Sequence, residues 1–273
     1  MSLAVLFGPG KLAAYIRRNI PDDIPGIDVR LDRLAGNSQY RSRRLIKIDE
    51  LATDKIRDVL LQYDINEMIL CGRPALNTID FGDLKKFIAG TGRIREFSLS
   101  AAAVFNSIEE DILSVAGVSV VGAEKYIDGL TPGFGTIVTP PNCEPVPTLF
   151  TREIYEALPS PRLFGAAHAA IADNAKICQV EAAAGTDVMI LEYINLRKRT
   201  PPKPSSAIFY KLPLKRCNPY FDIPVIGPKT VRLLARAYVK GIVVHGRYCY
   251  IDQRQNTLEL CRKYGLFLVG VEI

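Results

Sequence analysis

The chain is poor in the residues that build metal and redox centres. Its 273 residues include no tryptophan, three methionines and two histidines. With His168 and His245 alone, a zinc site of the His/Cys kind has too few imidazoles. The six cysteines, Cys71, Cys143, Cys178, Cys217, Cys249 and Cys261, form no C-x-x-C pair. Several stand in apolar runs, so buried, reduced thiols are expected. No apolar run approaches the roughly 20 residues that a membrane-spanning helix needs. The opening Met1-Ser2-Leu3-Ala4-Val5-Leu6-Phe7-Gly8 lacks the basic n-region of a secretion signal. A cytoplasmic protein is the expectation.

What the chain does have is ample apolar content, 48% against 23% charged residues, with a net charge of +6. A length above the usual single-domain size predicts two domains. The basic balance favours an anionic ligand or surface. Its clusters, Arg41-Ser42-Arg43-Arg44, Arg197-Lys198-Arg199 and Lys211 to Arg216, lack the interleaved aromatics of a single-strand nucleic-acid platform, so no nucleic-acid partner is expected.

Hydrophobic periodicity divides the chain. Strands are predicted over Leu3–Phe7, Ile27–Leu31, Ile46–Ile48, Glu67–Cys71 and Val118–Val121. They alternate with helices over Lys11–Arg18, around Leu51–Tyr63, after Phe81-Gly82 and over Ser107–Ala116. That alternation implies a Rossmann-like parallel sheet in the N-terminal half, residues 1–130. Residues 131–147, dense in Pro, Gly and Thr, read as a linker. Residues 148–273 read as a second α/β domain. Its strands fall at Ile177–Glu181, Ala207–Tyr210, Ile242–Val244, Tyr248–Ile251 and Leu266–Val271. Its helices fall at Arg152–Leu158, Val188–Leu196, Thr230–Val239 and Asn256–Tyr264.

Three segments carry chemical interest. Gly8-Pro9-Gly10 lies between a strand and a helix, where dinucleotide folds bind phosphate, but Ala13 occupies the third glycine position of G-x-G-x-x-G. It reads as a phosphate-binding turn or a structural one, and an NAD-dependent oxidoreductase is a minor reading. In Glu181-Ala-Ala-Ala-Gly185-Thr186-Asp187 a carboxylate ends a strand and Gly-Thr-Asp opens a helix. Thr186 or Asp187 there serves either as a helix cap or as part of a phosphate and metal site. Phe221-Asp222-Ile223-Pro224-Val225-Ile226-Gly227-Pro228 holds one carboxylate in a proline-stiffened apolar loop, read as a surface turn, a cap or a functional acid.

The order of Glu181 with Gly185-Thr186-Asp187, then Asp222-Ile223-Pro224-x-Ile226-Gly227-Pro228-x-Thr230, then Gly265-Leu266-Phe267-x-Val269-Gly270 resembles the LpxI family. These are UDP-2,3-diacylglucosamine pyrophosphatases of lipid A synthesis. Gly8-x-Gly10-x-Leu12, Cys71-Gly72-Arg73-Pro74 and Val121-Gly122-Ala123-Glu124 are similar to that family's first domain. The resemblance implies hydrolysis of the substrate's diphosphate to UMP and 2,3-diacylglucosamine 1-phosphate. It further implies a divalent metal, Mg²⁺ or Mn²⁺, and a site in the cleft between the two domains. Asp222 matches the family's catalytic aspartate and is expected to hold the metal with Asp187. Gly8, Gly10, Arg73, Gly185, Thr186 and Lys211 are the implied substrate-binding residues. The implied partners are the UDP-diacylglucosamine and its lipid product, with peripheral contact at the inner membrane and a homodimer both compatible. A non-catalytic binding protein for a nucleotide-sugar or acylated sugar phosphate is the alternative. It rests on residues that differ from the family pattern, such as Arg73-Pro74-Ala75 and Gly165-Ala166.

Overall fold

The computed structural model describes residues 2–7, 15–16, 20–21, 23–24, 26–29, 45–48, 53–71, 117–123, 126, 129–140, 151–158, 167–173, 176–182, 185–198, 206–215, 219–220 and 223–273. The helices expected after Phe81-Gly82 and over Ser107–Ala116 lie outside them. The chain separates into two compact units, Met1–Asp128 with Tyr220–Asp222, and Gly129–Pro219 with Ile223–Ile273.

The first unit contains β1 (Ser2–Phe7), β2 (Gly26–Val29), β3 (Leu45–Ile48), α1 (Thr53–Gln62), β4 (Ile65–Cys71) and β5 (Ser119–Val121). The strands pair in the order β3-β2-β1-β4-β5, and each pairing is parallel. This is the parallel sheet that the alternating pattern predicts, in a doubly wound order with β1 at the centre. Ala4 and Val5 of β1 and Met68 and Ile69 of β4 are buried side by side. A central parallel strand is covered on both faces, which explains its unbroken apolar sequence.

The second unit contains β6 (Gly135–Val138), α2 (Thr151–Ala157), β7 (Ala169–Asp173), β8 (Lys176–Val180), α3 (Thr186–Lys198) and β9 (Ile208–Lys211). It continues with β10 (Val225–Ile226), α4 (Pro228–Arg236), β11 (Gly241–His245), β12 (Tyr250–Ile251), α5 (Arg254–Tyr264) and β13 (Phe267–Val271). Six strands form one mixed sheet in the order β6-β13-β11-β9-β7-β8, and β10 pairs with β12 apart from it. β9, β11 and β13 run parallel, while β6, β7 and β8 run antiparallel to their neighbours.

β6 falls within residues 131–147, which the sequence reads as a linker. In the β-branched run Thr136-Ile137-Val138, Thr136 pairs with Val269 and Val138 with Leu268 across an irregularity, despite the surrounding glycines and prolines. β7 has no counterpart among the expected strands. Its Ala-Ala-Ile-Ala-Asp sequence has low strand propensity, and burial in the sheet overrides that preference.

Both faces of this sheet are covered. Ile171, Phe209, Ile242, Val244 and Leu268 pack with Ile190 of α3, Leu234 of α4 and Leu258 of α5. The alternate residues Ala170, Tyr210, Val243, Val269 and Val271 pack with Ile154 and Leu158, from α2 and its end. Successive strand side chains point to opposite faces, so the register sorts residues by face. Gly270 sits at a close approach, where an added Cβ would stand 1.8 Å from the Gly133 carbonyl oxygen. The strand therefore needs a residue without a side chain at that point.

Candidate functional site

The register gathers polar groups at one edge of the second sheet. Lys211 and His245 end the parallel strands β9 and β11, and Val271 ends β13. Ala169, at the start of β7, lies opposite Lys211, and Val180, at the end of β8, lies opposite Ala170. His168 and Glu181 therefore stand at the same edge. His168, Glu181, Lys211 and His245 are all buried. In an open α/β sheet the carboxyl ends of parallel strands are where ligand sites form.

Glu181 and Lys211 form a buried ion pair, with Nζ 3.2 Å from each carboxylate oxygen. Lys211 also donates to Thr186 Oγ1 at 2.6 Å, and that hydroxyl donates to Glu181 Oε1 at 2.5 Å. An ammonium has three protons, and these three contacts use them. Glu181 Oε2 accepts the His168 backbone N–H at 3.0 Å. His168 Nδ1 lies 3.0 Å from the Leu212 carbonyl, which can only accept, so Nδ1 carries the proton. The Leu212 N–H returns to the His168 carbonyl at 2.7 Å, tying the start of β7 to the end of β9. Two buried charges thus cancel one another, each with further hydrogen bonds.

The sequence that places Thr186 here is Gly185-Thr186. Gly185 has φ +88°, a left-handed conformation that a side chain disfavours. Its N–H donates to the Ala182 carbonyl and its own carbonyl accepts the Met189 N–H, so it closes a turn and opens α3. One residue on, Asp187 pairs with Lys229 of α4 at 2.6 Å, with side-chain exposures of 40% and 71%. The expected helix-opening residues therefore divide, Thr186 into the buried network and Asp187 onto the surface.

Cys249 is buried close to Lys211. Burial pushes its thiol up to about 12, against the smaller opposing effect of the Lys211 ammonium. Burial likewise raises Cys261 to about 12. Cys178 is also a free thiol but is exposed, unlike the buried thiols expected, and its pKa is raised by partial burial. None is an activated nucleophile.

On the other side of the edge, His245 Nδ1 lies 3.1 Å from both the Arg247 and the Tyr248 backbone nitrogens. Its ring is 4.6 Å from that of Tyr248, centre to centre, and meets Phe134 edge-on at 6.1 Å. Burial lowers its pKa below 6.5, with Glu272 opposing and Arg247 reinforcing that shift. A cavity of about 860 Å³ lies alongside, walled by Phe134, Thr151, Tyr155, Val269, Gly270 and Val271 among others.

Of the expected site residues, the structure brings together Thr186, Lys211 and Gly185. Gly8, Gly10, Arg73 and Asp222 lie outside the described residues, although Ile223-Pro224, directly after Asp222, is described. Pro224 accepts the Tyr250 N–H, so the segment following Asp222 is fixed next to Cys249-Tyr250. Glu181, His168 and His245 were not among the expected ligand contacts. Only the strand-ending position of Glu181 signals it in the sequence, since the network depends on strand pairing across distant residues. Among the described residues no group of three or more His, Cys, Asp or Glu side chains is placed to hold a metal ion. The described residues alone therefore do not make a metal centre.

Residues 162–269 match the family model of the LpxI C-terminal domain. The match runs from just before β7 into β13 and covers the whole of the buried Glu181–Thr186–Lys211 network. This region is therefore similar to the LpxI C-terminal domain. None of the curated proteins compared matches the chain. Among the described residues, no helix is long and apolar enough to cross a membrane.

Proposed function

We propose that the protein is a UDP-2,3-diacylglucosamine pyrophosphatase of the LpxI type, hydrolysing the diphosphate to UMP and 2,3-diacylglucosamine 1-phosphate. The observation that carries this reading is a coincidence of position. The region similar to the LpxI C-terminal domain is the region whose sheet edge gathers Glu181, Thr186 and Lys211.

In this reading the first turn of α3 presents backbone N–H groups of Thr186 and Asp187 to a phosphoryl group, where the helix dipole favours negative charge. Lys211 is held by Glu181 and Thr186. Its ammonium meets a phosphoryl oxygen only by giving up one of these contacts, so its first task is to fix the strand end. Asp222 is the catalytic carboxylate, orienting the water that adds its oxygen to one phosphorus as the bridging P–O bond breaks. A divalent ion, Mg²⁺ or Mn²⁺, supplies charge neutralisation at the diphosphate when bound, with Asp222 and Asp187 as the carboxylates assigned to it. Gly8, Gly10 and Arg73 complete substrate binding. The reaction takes place on the cytoplasmic side of the inner membrane, where a net charge of +6 suits an anionic surface.

The direct test is release of UMP from UDP-2,3-diacylglucosamine by the purified protein with Mg²⁺ or Mn²⁺, with and without EDTA. Release that EDTA abolishes is expected, and Asp222→Ala is expected to lower the rate about 10²–10⁴-fold, the range for a positioned acid or base. A folded wild-type protein that releases no UMP overturns the reading. A non-catalytic binding protein is favoured by the full occupation of Lys211 within the chain. It predicts thermal stabilisation by the same compound without turnover.

A further inference from the structure

The opposite edge of the second sheet, where β9, β11 and β13 begin, gathers a different set of side chains. The Lys240 N–H donates to the Ala207 carbonyl at 2.8 Å, and the Lys240 carbonyl accepts the Phe267 N–H at 3.3 Å. These bonds hold the three strand starts together. α3, α4 and α5 pack on one face of the sheet, through Ile190, Leu234 and Leu258. Thr186, at the start of α3, stands by Lys211 at the far end of β9, so α3 runs back toward this edge. α4 and α5 lead directly into β11 and β13 and end here as well. The last turns of the three helices carry Arg197 and Lys198, Arg236, and Arg262 and Lys263. Lys240 joins them just before β11, and Lys176 at the start of β8. The carboxylate that the register sets among them is Asp173, opposite Lys176, and it accepts the Ser206 hydroxyl.

Helix dipoles favour cations at helix carboxyl ends, which accounts for part of this charge. They do not account for the large apolar and aromatic side chains exposed between the cations, Leu196, Tyr238 and Tyr264. Tyr238 is the most informative of these. It follows the C-cap Ala237, at the position that glycine usually holds. Its φ is +55°, a left-handed conformation that a bulky residue rarely takes, and it is 73% exposed. Neither backbone preference nor packing favours a tyrosine there, so its side chain has a use outside the chain's own core. Arg197 stands over the Tyr238 ring, with Cζ 6.0 Å from the centre, and Lys263 Nζ lies 5.8 Å from that of Tyr264.

We infer that this edge is a docking surface for an anionic lipid bilayer. Tyrosine suits the membrane–water boundary because its ring is apolar and its hydroxyl is wet. Lysine and arginine lay their stems on apolar surface and hold their charges at lipid phosphates. A single-stranded nucleic acid needs open aromatic faces on which bases stack, whereas cations lie over the rings of Tyr238 and Tyr264. The five-residue strand β11 separates this edge from the Glu181–Lys211 edge by roughly 17 Å, so docking and ligand binding use different surfaces. The inference does not depend on the pyrophosphatase reading.

The chain has no tryptophan, so Tyr238→Trp provides a single fluorescent reporter. With vesicles of equimolar phosphatidylcholine and phosphatidylglycerol, its emission should move to shorter wavelength and its quenching by acrylamide should fall. Pure phosphatidylcholine should cause neither change. Unchanged emission with the anionic vesicles overturns the inference. So does a change with a single-stranded oligonucleotide and none with vesicles. Vesicle co-sedimentation at physiological salt measures the cations. Lys198→Gln with Lys263→Gln should weaken partition about 25-fold, about fivefold for each cation near an anionic surface. Arg152→Gln with Arg247→Gln removes the same charge at the other edge and should have a much smaller effect, because screening is strong beyond about 8 Å. An equal loss in both double variants overturns the inference. Tyr238→Gly relieves the left-handed backbone, so it should melt at or above wild type yet partition less. A lower melting temperature with unchanged partition makes Tyr238 a structural residue and overturns its role. UMP release from detergent-dispersed substrate should be the same in Lys198→Gln with Lys263→Gln as in wild type. Docking and the pyrophosphatase reading can therefore each fail alone.

Discussion

The two faces of the second sheet's carboxyl edge solve the problem of buried polarity differently. On the α3 side, Glu181, Thr186 and Lys211 satisfy one another, so full charges are kept in the interior by cancellation. On the α2 side, His245 remains neutral, its Nδ1 spent on two backbone N–H groups and its ring set among aromatics. A buried pair of charges resists change because removing either partner strands the other. A neutral imidazole costs little to bury but becomes sensitive to protonation. One edge thus combines a rigid charged support with a neutral imidazole.

The sharpest way to break that contrast is Lys211→Met, which leaves Glu181 buried and unpaired. A loss of about 3–5 kcal/mol in unfolding free energy is expected from urea titration. Adding Glu181→Met should restore most of it, because apolar replacement of both partners removes the stranded charge. On the α2 side, Gly270→Ala forces a methyl against the Gly133 carbonyl, at 1.8 Å without relaxation. A destabilisation of about 1–3 kcal/mol is expected from the same titration.

A pH series separates the faces further. His245 has its pKa lowered in the folded state from 6.5, chiefly by burial, with Glu272 opposing and Arg247 adding to the effect. The unfolded chain therefore binds the proton first as pH falls. The stability contributed by neutral His245 is complete above 6.5 and is lost as pH drops from there toward the lowered folded value. His245→Asn should remove that part of the pH dependence, read as a flatter melting-temperature profile below pH 6.5. The smallest effect belongs to the surface. Asp187→Asn breaks the pair with Lys229, which is 71% exposed, and should cost about 0–1 kcal/mol and less at high salt.

Much of the fold was legible because it rests on local periodicity. The apolar runs of β1 and β4 and the turn at Gly185 are written in adjacent residues, and so is the end of α5, where Gly265 takes φ +69°. β7 escaped because its alanines favour no strand by themselves and become one only between β8 and β9. β6 escaped because glycines and prolines around Thr136-Ile137-Val138 read as a connector. The site divides in the same way. Thr186 stood out from a helix start and Glu181 from a strand end, while Lys211 entered only through the family resemblance, and the contacts that join the three depend on pairing across the sheet. His168 and His245 left no local signal, since a lone histidine in an apolar run is indistinguishable from a core residue until its neighbours are known.

The central claim is that the carboxyl edge of the second sheet is where the molecule meets its ligand. Hydrogen–deuterium exchange with and without UMP and 2,3-diacylglucosamine 1-phosphate tests it most directly. The account predicts slower exchange on adding the products at residues 168–173, 185–190, 208–212 and 245–250, which border Glu181, Lys211 and His245. Slower exchange confined to residues 2–71, with the second sheet's edge unchanged, would contradict it.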